Sequence, residues 1–371
     1  FILLKRTIKG KKNNMQPDSI ELSFLSILAF ITFFIFLVVS KLSYRNSSSA
    51  LLDTEFTKPQ AFHDEPISRS GGIASIISLF SSLGIYYLLF SDILYEYFFV
   101  CSSMFVIGYL DDVKKKISPN MRLVLMVFFL IIFIGILPIQ IENMDLIFLN
   151  SLMDYKIFSI LFVLLCFLFI INGANLIDGF NGLLIINLII INSVLLFINL
   201  SNNHTEFSFF LTSQIIIMIS FLLFNFPKAK MFLGDSGSYL FGSLVALNII
   251  ITNNLNINIS SFFLCILLFY LFFEVFFSFF RKIYQKKSPV FPDNEHLHML
   301  SYVHISEMLG QDKSNYMNSV LINSIYCILV LPSIFFAENT LISTYWFFSL
   351  ILIYLLCYIR LYRLTKKKID I

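Results

Sequence analysis

A single tryptophan stands among 371 residues, and only 13% of the chain is charged. Soluble domains carry about 25% charged residues, so a large water-facing domain is excluded. Charge of one sign is also missing: 26 basic and 23 acidic residues leave a net +3, and no nucleic-acid partner is expected. Cysteine is scarce, and Cys101, Cys166, Cys265, Cys327 and Cys357 all fall inside apolar runs without a CxxC spacing. That excludes a secreted disulfide scaffold and leaves the thiols as plain lipid-facing or core residues. No low-complexity linker or repeat of fixed period divides the chain.

What is present is apolar surface, 58% of residues with 17% aromatic and a mean hydropathy of +0.83. At about 20 residues per span this fills roughly ten or eleven helices. Hydropathy places them near 22–40, 72–90, 93–110, 121–140, 157–176, 182–200, 207–225, 238–252, 259–280, 317–336 and 341–359. The expected fold is all-α, a polytopic membrane protein with its active site on cytoplasmic loops. Residues 1–14 carry a basic run behind four apolar residues, too few for a secretory leader, and are expected to be an upstream extension before Met15. Residues 15–371 are expected to form one integral membrane domain.

Helices joined by short loops alternate sides, so the loops after odd-numbered spans share one face. Of the 26 basic residues, 20 fall on that face, Arg122 included, which predicts that it is cytoplasmic. Nearly every polar cluster lies there too. Ser68-Arg69-Ser70-Gly71-Gly72 reads as a turn or as a close approach of backbone to a ligand or helix. Asp111 and Asp112 close an apolar helix ahead of Lys114, Lys115, Lys116 and Arg122. Two adjacent carboxylates there need a cation or a shared proton, while the basic groups suit phosphate; a solvated helix end is the competing account.

Asn172, Asn175 and Asp178 recur every three residues and so lie near one helix face, before Gly179 and Gly182 break the helix. Polar groups at such depth usually face a cavity, although helix packing through Asn and Gly would use the same residues. In Phe232-Leu233-Gly234-Asp235-Ser236-Gly237-Ser238, a carboxylate meets a helix N-terminus, which suits phosphate or a metal that carries phosphate, or a simple cap. His296 and His298 are two apart, which disfavours a helical zinc pair and leaves donation to phosphate. Glu274, in the middle of the ninth span, is expected to face protein or to stay protonated.

Read in order from residue 56 to 300, SRSGG, GYLDDVKKKISPNMRL, NGANLIDGFNGL, FLGDSGS and PDNEHLH resemble the polyprenyl-phosphate N-acetylhexosamine-1-phosphate transferases. That family includes GlcNAc-1-phosphate transferases and the phospho-MurNAc-pentapeptide translocase. The resemblance implies a cytoplasmic (inner) membrane enzyme that uses Mg²⁺, with Mn²⁺ as the alternate ion. It would transfer N-acetylhexosamine 1-phosphate from a UDP-N-acetylhexosamine to undecaprenyl or another polyprenyl phosphate, releasing UMP. By the same resemblance Asp111, Asp112 and Asp235 are catalytic, and Asp235, Asp178 and Asp112 hold the metal. Asn172, Asn175, Asp178, Phe232, Lys115, Arg122, His296 and His298 then bind substrate, with Phe232 stacking on uracil.

Two departures stand out: Asn181 replaces an aspartate of the family's DGxDGL, and Met299 replaces a third histidine. The pattern leans towards initiation of a surface glycan such as O-antigen, with peptidoglycan pentapeptide transfer as the alternative. A transporter would spread its acids through the bilayer depth and carry an inverted repeat. A non-catalytic scaffold would bind nucleotide without making UMP. The first and the last two spans are the expected contacts of a homodimer.

Overall fold

The computed structural model describes residues 19–45, 51–54, 65–113, 117–288 and 293–369. The expected extension 1–14 and Lys115 lie outside the described residues. Among the described residues there are fourteen helices: α1 Ser19–Arg45, α2 Gly71–Phe90, α3 Tyr95–Asp112, α4 Pro119–Ile136, α5 Ile147–Met153, α6 Lys156–Ile177, α7 Leu183–Ser201, α8 Thr205–Asn225, α9 Gly234–Leu255, α10 Ser261–Leu267, α11 Phe269–Tyr284, α12 Leu297–Leu309, α13 Gln311–Val330 and α14 Thr340–Ile369. A 3₁₀ turn, Leu331–Phe336, extends α13. The only strands among the described residues are β1 Leu52–Asp53 and β2 Ile67–Ser68, paired antiparallel with Leu52 opposite Ser68.

The chain is an all-α polytopic membrane protein. Nine described helices are long and apolar enough to cross a bilayer, and α10 with α11, bent by 79°, makes a tenth. Helix α3 fills the position of the remaining expected span, but its 18 residues include Glu96, Asp111 and Asp112, which lower its hydropathy. Three helical features were not visible in the hydropathy pattern: the break that splits the ninth span, the short helix α5, and helix α12 inside the longest loop.

Helix α9 is the axis of the bundle, with 83% of its apolar window buried against 17% for the peripheral α1. Its sequence explains why. Small residues along Gly234-Asp-Ser-Gly-Ser and at Gly242 and Ser243 let α3 and α6 approach its backbone closely. At the α3 crossing, a Cβ on Gly108 would run into the carbonyl of Asp235. Deeper in the bundle several polar side chains satisfy one another: Tyr97 donates to Asn248 Oδ1 (2.6 Å), and Asn248 donates to Asn192 (2.8 Å) and Gln214 (2.6 Å). With no water in the bilayer core, such groups must pair across helices.

The ends of α3, α6 and α8 and the starts of α4, α7 and α9 meet at one end of the bundle, where β1 and β2 also lie. Gly71 and Gly72 donate their backbone N–H groups to the carbonyls of Phe232 and Leu233, both at 2.9 Å, and Phe232 N–H donates to Ser68 at 2.8 Å. The SRSGG segment is thus a close approach of backbone to backbone against FLGDS.

Candidate active site at the end of helix α9

Asp111 and Asp112 sit past the apolar stretch of α3, and Arg122 lies in the first turns of α4. One guanidinium nitrogen of Arg122, Nη1, lies 2.9 Å from Asp111 Oδ2 and 2.6 Å from Asp235 Oδ2. The other oxygen of Asp235 accepts from Asn175 Nδ2 at 3.0 Å, and that amide also donates to Ser238 at 3.1 Å. Three of the quoted motifs therefore meet at Asp235: the one that holds Asp111 and Arg122, the one that holds Asn175, and its own.

Asp112 serves differently. Its Oδ1 accepts the backbone N–H of Asp235 (3.0 Å) and its Oδ2 that of Ser236 (2.9 Å), so it caps α9 from another helix. Gly234 takes a left-handed φ of +77°, and a Cβ there would stand 2.6 Å from Asp112 Oδ2. Glycine at 234 is what lets the carboxylate reach the helix end. Since both oxygens of Asp112 are engaged, Asp111 is the member of the pair that faces Asp235 across Arg122. Among the described residues, no three acidic, histidine or cysteine side chains stand together as a preformed metal centre.

Asp178 ends α6 at the C-cap position. Burial raises its carboxyl well above the ordinary value, and the charges of Asp235 and Asp112 raise it further. The same two causes, burial and then Asp235, push Asp111 up to about 6 and Asp112 up to about 7. The four carboxylates of Asp111, Asp112, Asp178 and Asp235 face two guanidiniums, Arg69 and Arg122. Burial and mutual repulsion keep protons on Asp111, Asp112 and Asp178, so a cation or phosphate-bound metal that displaces those protons is favoured there.

Arg69 was quoted in SRSGG without a role, and Asp53 carried no motif at all. The structure joins them: Arg69 Nε and Nη2 donate to Asp53 Oδ2 at 3.1 and 2.7 Å, and Arg69 Nη1 stands 4.0 Å from Asp112. This pair holds the β1–β2 hairpin over the site.

The remaining expected residues are placed as follows. Asn172 donates to the Leu168 carbonyl of its own helix at 2.7 Å, away from the cluster. Phe232 is half-buried between SRSGG and Asp235. Asn181 donates to the Pro227 carbonyl (2.9 Å) and its backbone N–H to Asn315 (2.8 Å), so it holds the loop rather than a proton in transit. His296 and His298 are buried and already partnered, not open phosphate donors: His296 Nδ1 lies 3.1 Å from Glu274 and Nε2 3.3 Å from Asp293. His298 Nδ1 lies 3.3 Å from the Tyr270 hydroxyl, and burial pushes its pKa down to about 3, which keeps the ring neutral. Glu274 faces protein, as expected of an acid within a span.

A sequence model of glycosyl transferase family 4 matches residues 94–253, the stretch that holds Asp111, Asp112, Arg122, Asn175, Asp178 and Asp235. Over those residues the chain is similar to this family. Among its curated relatives, an undecaprenyl-phosphate alpha-N-acetylglucosaminyl 1-phosphate transferase of Thermotoga maritima is 27% identical over 248 residues, 66% of this chain and 74% of that one. Phospho-N-acetylmuramoyl-pentapeptide-transferases of Buchnera aphidicola (31% over 214 residues) and Clostridium perfringens (29% over 153) match 50% and 38% of this chain. The chain spans only 60% and 47% of those two relatives. The family 4 match ends before α10, so Glu274, Asp293 and the histidines lie in the part it does not cover.

Proposed function

We propose that this protein transfers an N-acetylhexosamine 1-phosphate from a UDP-sugar to a polyprenyl phosphate at the cytoplasmic leaflet, releasing UMP and beginning a lipid-linked surface glycan. The observation that carries this reading is the Arg122 nitrogen between Asp111 and Asp235, with Asn175 on the second oxygen of Asp235. A cation already bridges two carboxylates there, at the foot of apolar helices. Mg²⁺ usually takes one or two carboxylates together with substrate phosphates rather than a full protein cage. Asp111 and Asp235 supply such an oxygen pair, and the excess of carboxylates over guanidiniums supports it.

Bound Mg²⁺, or Mn²⁺ in its place, would neutralise the donor diphosphate. Asp111 and Asp235 would hold it, within reach of the charge of Asp178. Arg122 and Arg69 would then meet phosphate oxygens. An oxygen of the lipid phosphate forms a bond to the sugar-bearing phosphorus; the bond from that phosphorus to the oxygen shared with the uridylyl phosphate breaks, and UMP departs with the oxygen. A phosphate monoester is anionic near neutrality, so the residues mainly position and screen charge. The 20 basic residues of the odd-exit face support the cytoplasmic orientation.

The name of the Buchnera relative supports a second reading, with UDP-MurNAc-pentapeptide as donor. Purified protein given undecaprenyl phosphate, Mg²⁺ and a panel of UDP-N-acetyl sugars, the pentapeptide donor included, decides between them by UMP and lipid-linked product. Neither product from any donor overturns the proposal.

A further inference from the structure

A second concentration of buried charge lies where α11 meets α12 and α14, outside the carboxylate cluster. Glu274 on α11 is 1% exposed, and its two oxygens take three hydrogen bonds. Oε1 accepts from His296 Nδ1 and from the backbone N–H of Leu297, both at 3.1 Å, and Oε2 accepts from the Tyr354 hydroxyl of α14 at 2.6 Å. Leu297 opens α12, so Glu274 anchors the start of that helix. From there a chain of rings leads back to the site. His296 and His298 lie parallel, 5.4 Å apart; the edge of His298 meets Phe180 at 5.8 Å, and Tyr302 flanks Phe180 at 5.2 Å. Phe180 sits two residues after Asp178, in the loop between α6 and α7.

We propose that Glu274 is a positioning residue for donor binding: by fixing His296 and the start of α12, it sets the stacked imidazoles that hold Phe180 and so the Asp178 loop. Buried ion pairs are often replaceable by apolar residues without loss of stability, so an acid kept at this depth, with both oxygens hydrogen-bonded, answers to placement rather than to folding energy. The segment 293–298 is held from its other end as well. Arg281 donates to both oxygens of Asp293 (3.1 and 3.0 Å) and to Glu295 (2.8 Å), and reaches the hydroxyl of Tyr358 at 3.2 Å. The carboxy-terminal helix, through Tyr354 and Tyr358, is thereby part of the device.

The proposal rests on the reading that the Asp178 loop holds the UDP-sugar. The test uses the purified full chain with UDP-GlcNAc and undecaprenyl phosphate. Losing charge-assisted hydrogen bonds at a buried site, Glu274→Gln raises the KM for the UDP-sugar by about tenfold and leaves the KM for lipid phosphate and the kcat within about threefold. Tyr354→Phe, which removes one of the three bonds, shifts the same KM in the same direction by less. Amide hydrogen exchange at residues 178–183 quickens in Glu274→Gln. If Glu274→Gln fails to fold, Glu274→Asp and Tyr354→Phe decide by the same measurements. A lower melting temperature with unchanged donor KM and unchanged exchange at 178–183 overturns the proposal. Absence of UMP from the wild type overturns the functional reading instead, and the exchange measurement still decides the coupling.

Discussion

The carboxylate of Asp112 holds the backbone of Asp235. Two acids expected to share one chemical role are thus divided: one exposes its side chain to the site, the other spends its oxygens on the first N–H groups of α9. An N-cap supplied from a different helix locks α3 and α9 in register, because its two hydrogen bonds form only where the helices cross at Gly108.

Neighbouring substitutions should therefore fail differently. Asp112→Asn turns an amide N–H against a backbone N–H in a buried place and costs about 1–3 kcal/mol of stability. Asp111→Asn and Asp235→Asn melt near the wild type but lose UMP release. Melting of detergent-purified protein and UMP release measured on the same samples separate the two classes; a stable, inactive Asp112→Asn would contradict the cap.

Gly108→Ala should destabilise by about 1–3 kcal/mol, as overpacking does, because the added methyl meets the Asp235 carbonyl. Gly84→Ala, where a Cβ meets nothing within 4 Å, should leave the melting temperature unchanged and serves as the control. Equal melting of both variants would mean that α3 and α9 are not in close contact.

Metal binding should depend on pH. Carboxyls raised to about 6 at Asp111 and about 7 at Asp112 hold protons that unfolded carboxyls, near about 4, have already released. Their contribution to stability is present below about pH 4 and is lost as pH rises through those values. A divalent cation held by Asp111 and Asp235 offsets the part of the loss that belongs to Asp111, since it binds the ionised form. The rise in melting temperature caused by Mg²⁺ should grow from pH 5 to pH 8, with protons released on binding in calorimetry at pH 6.5. A shift independent of pH would count against cation binding by these carboxylates.

Arg69 and Asp53 form the partly exposed ion pair that closes the hairpin over the site. A double-mutant cycle of Arg69→Ala and Asp53→Ala should show a coupling of about 0.5–1 kcal/mol in stability, in keeping with a pair of that exposure. Additive effects would show that the hairpin is held by other contacts.

Much of the bundle was legible without coordinates. Each of the eleven apolar runs became a helix, or in the ninth a bent helix pair, because a backbone in lipid must satisfy its own hydrogen bonds. The alternation of sides also put Asp111, Asn175, Asp178 and Asp235 at one end, since a span of about 20 residues leaves its loops little choice of face. What remained hidden was partnership at short range. Asp53 lies in a stretch with no motif, and nothing in the spacing says that its oxygen meets Arg69. His296 and His298 read as donors to phosphate, yet Glu274, inside the ninth span, holds the ring of His296 inward.

Composition and hydropathy alone determined that this chain crosses a membrane many times and gathers its polar motifs on one side, because those outcomes follow from how much apolar surface must avoid water. Tertiary structure decided which carboxylate caps a helix, which faces its neighbour across Arg122, and which acid anchors the histidine segment. Those choices turn on contacts of about 3 Å between residues far apart in the chain, a distance at which hydrogen bonds form or fail and to which no one-dimensional pattern is sensitive.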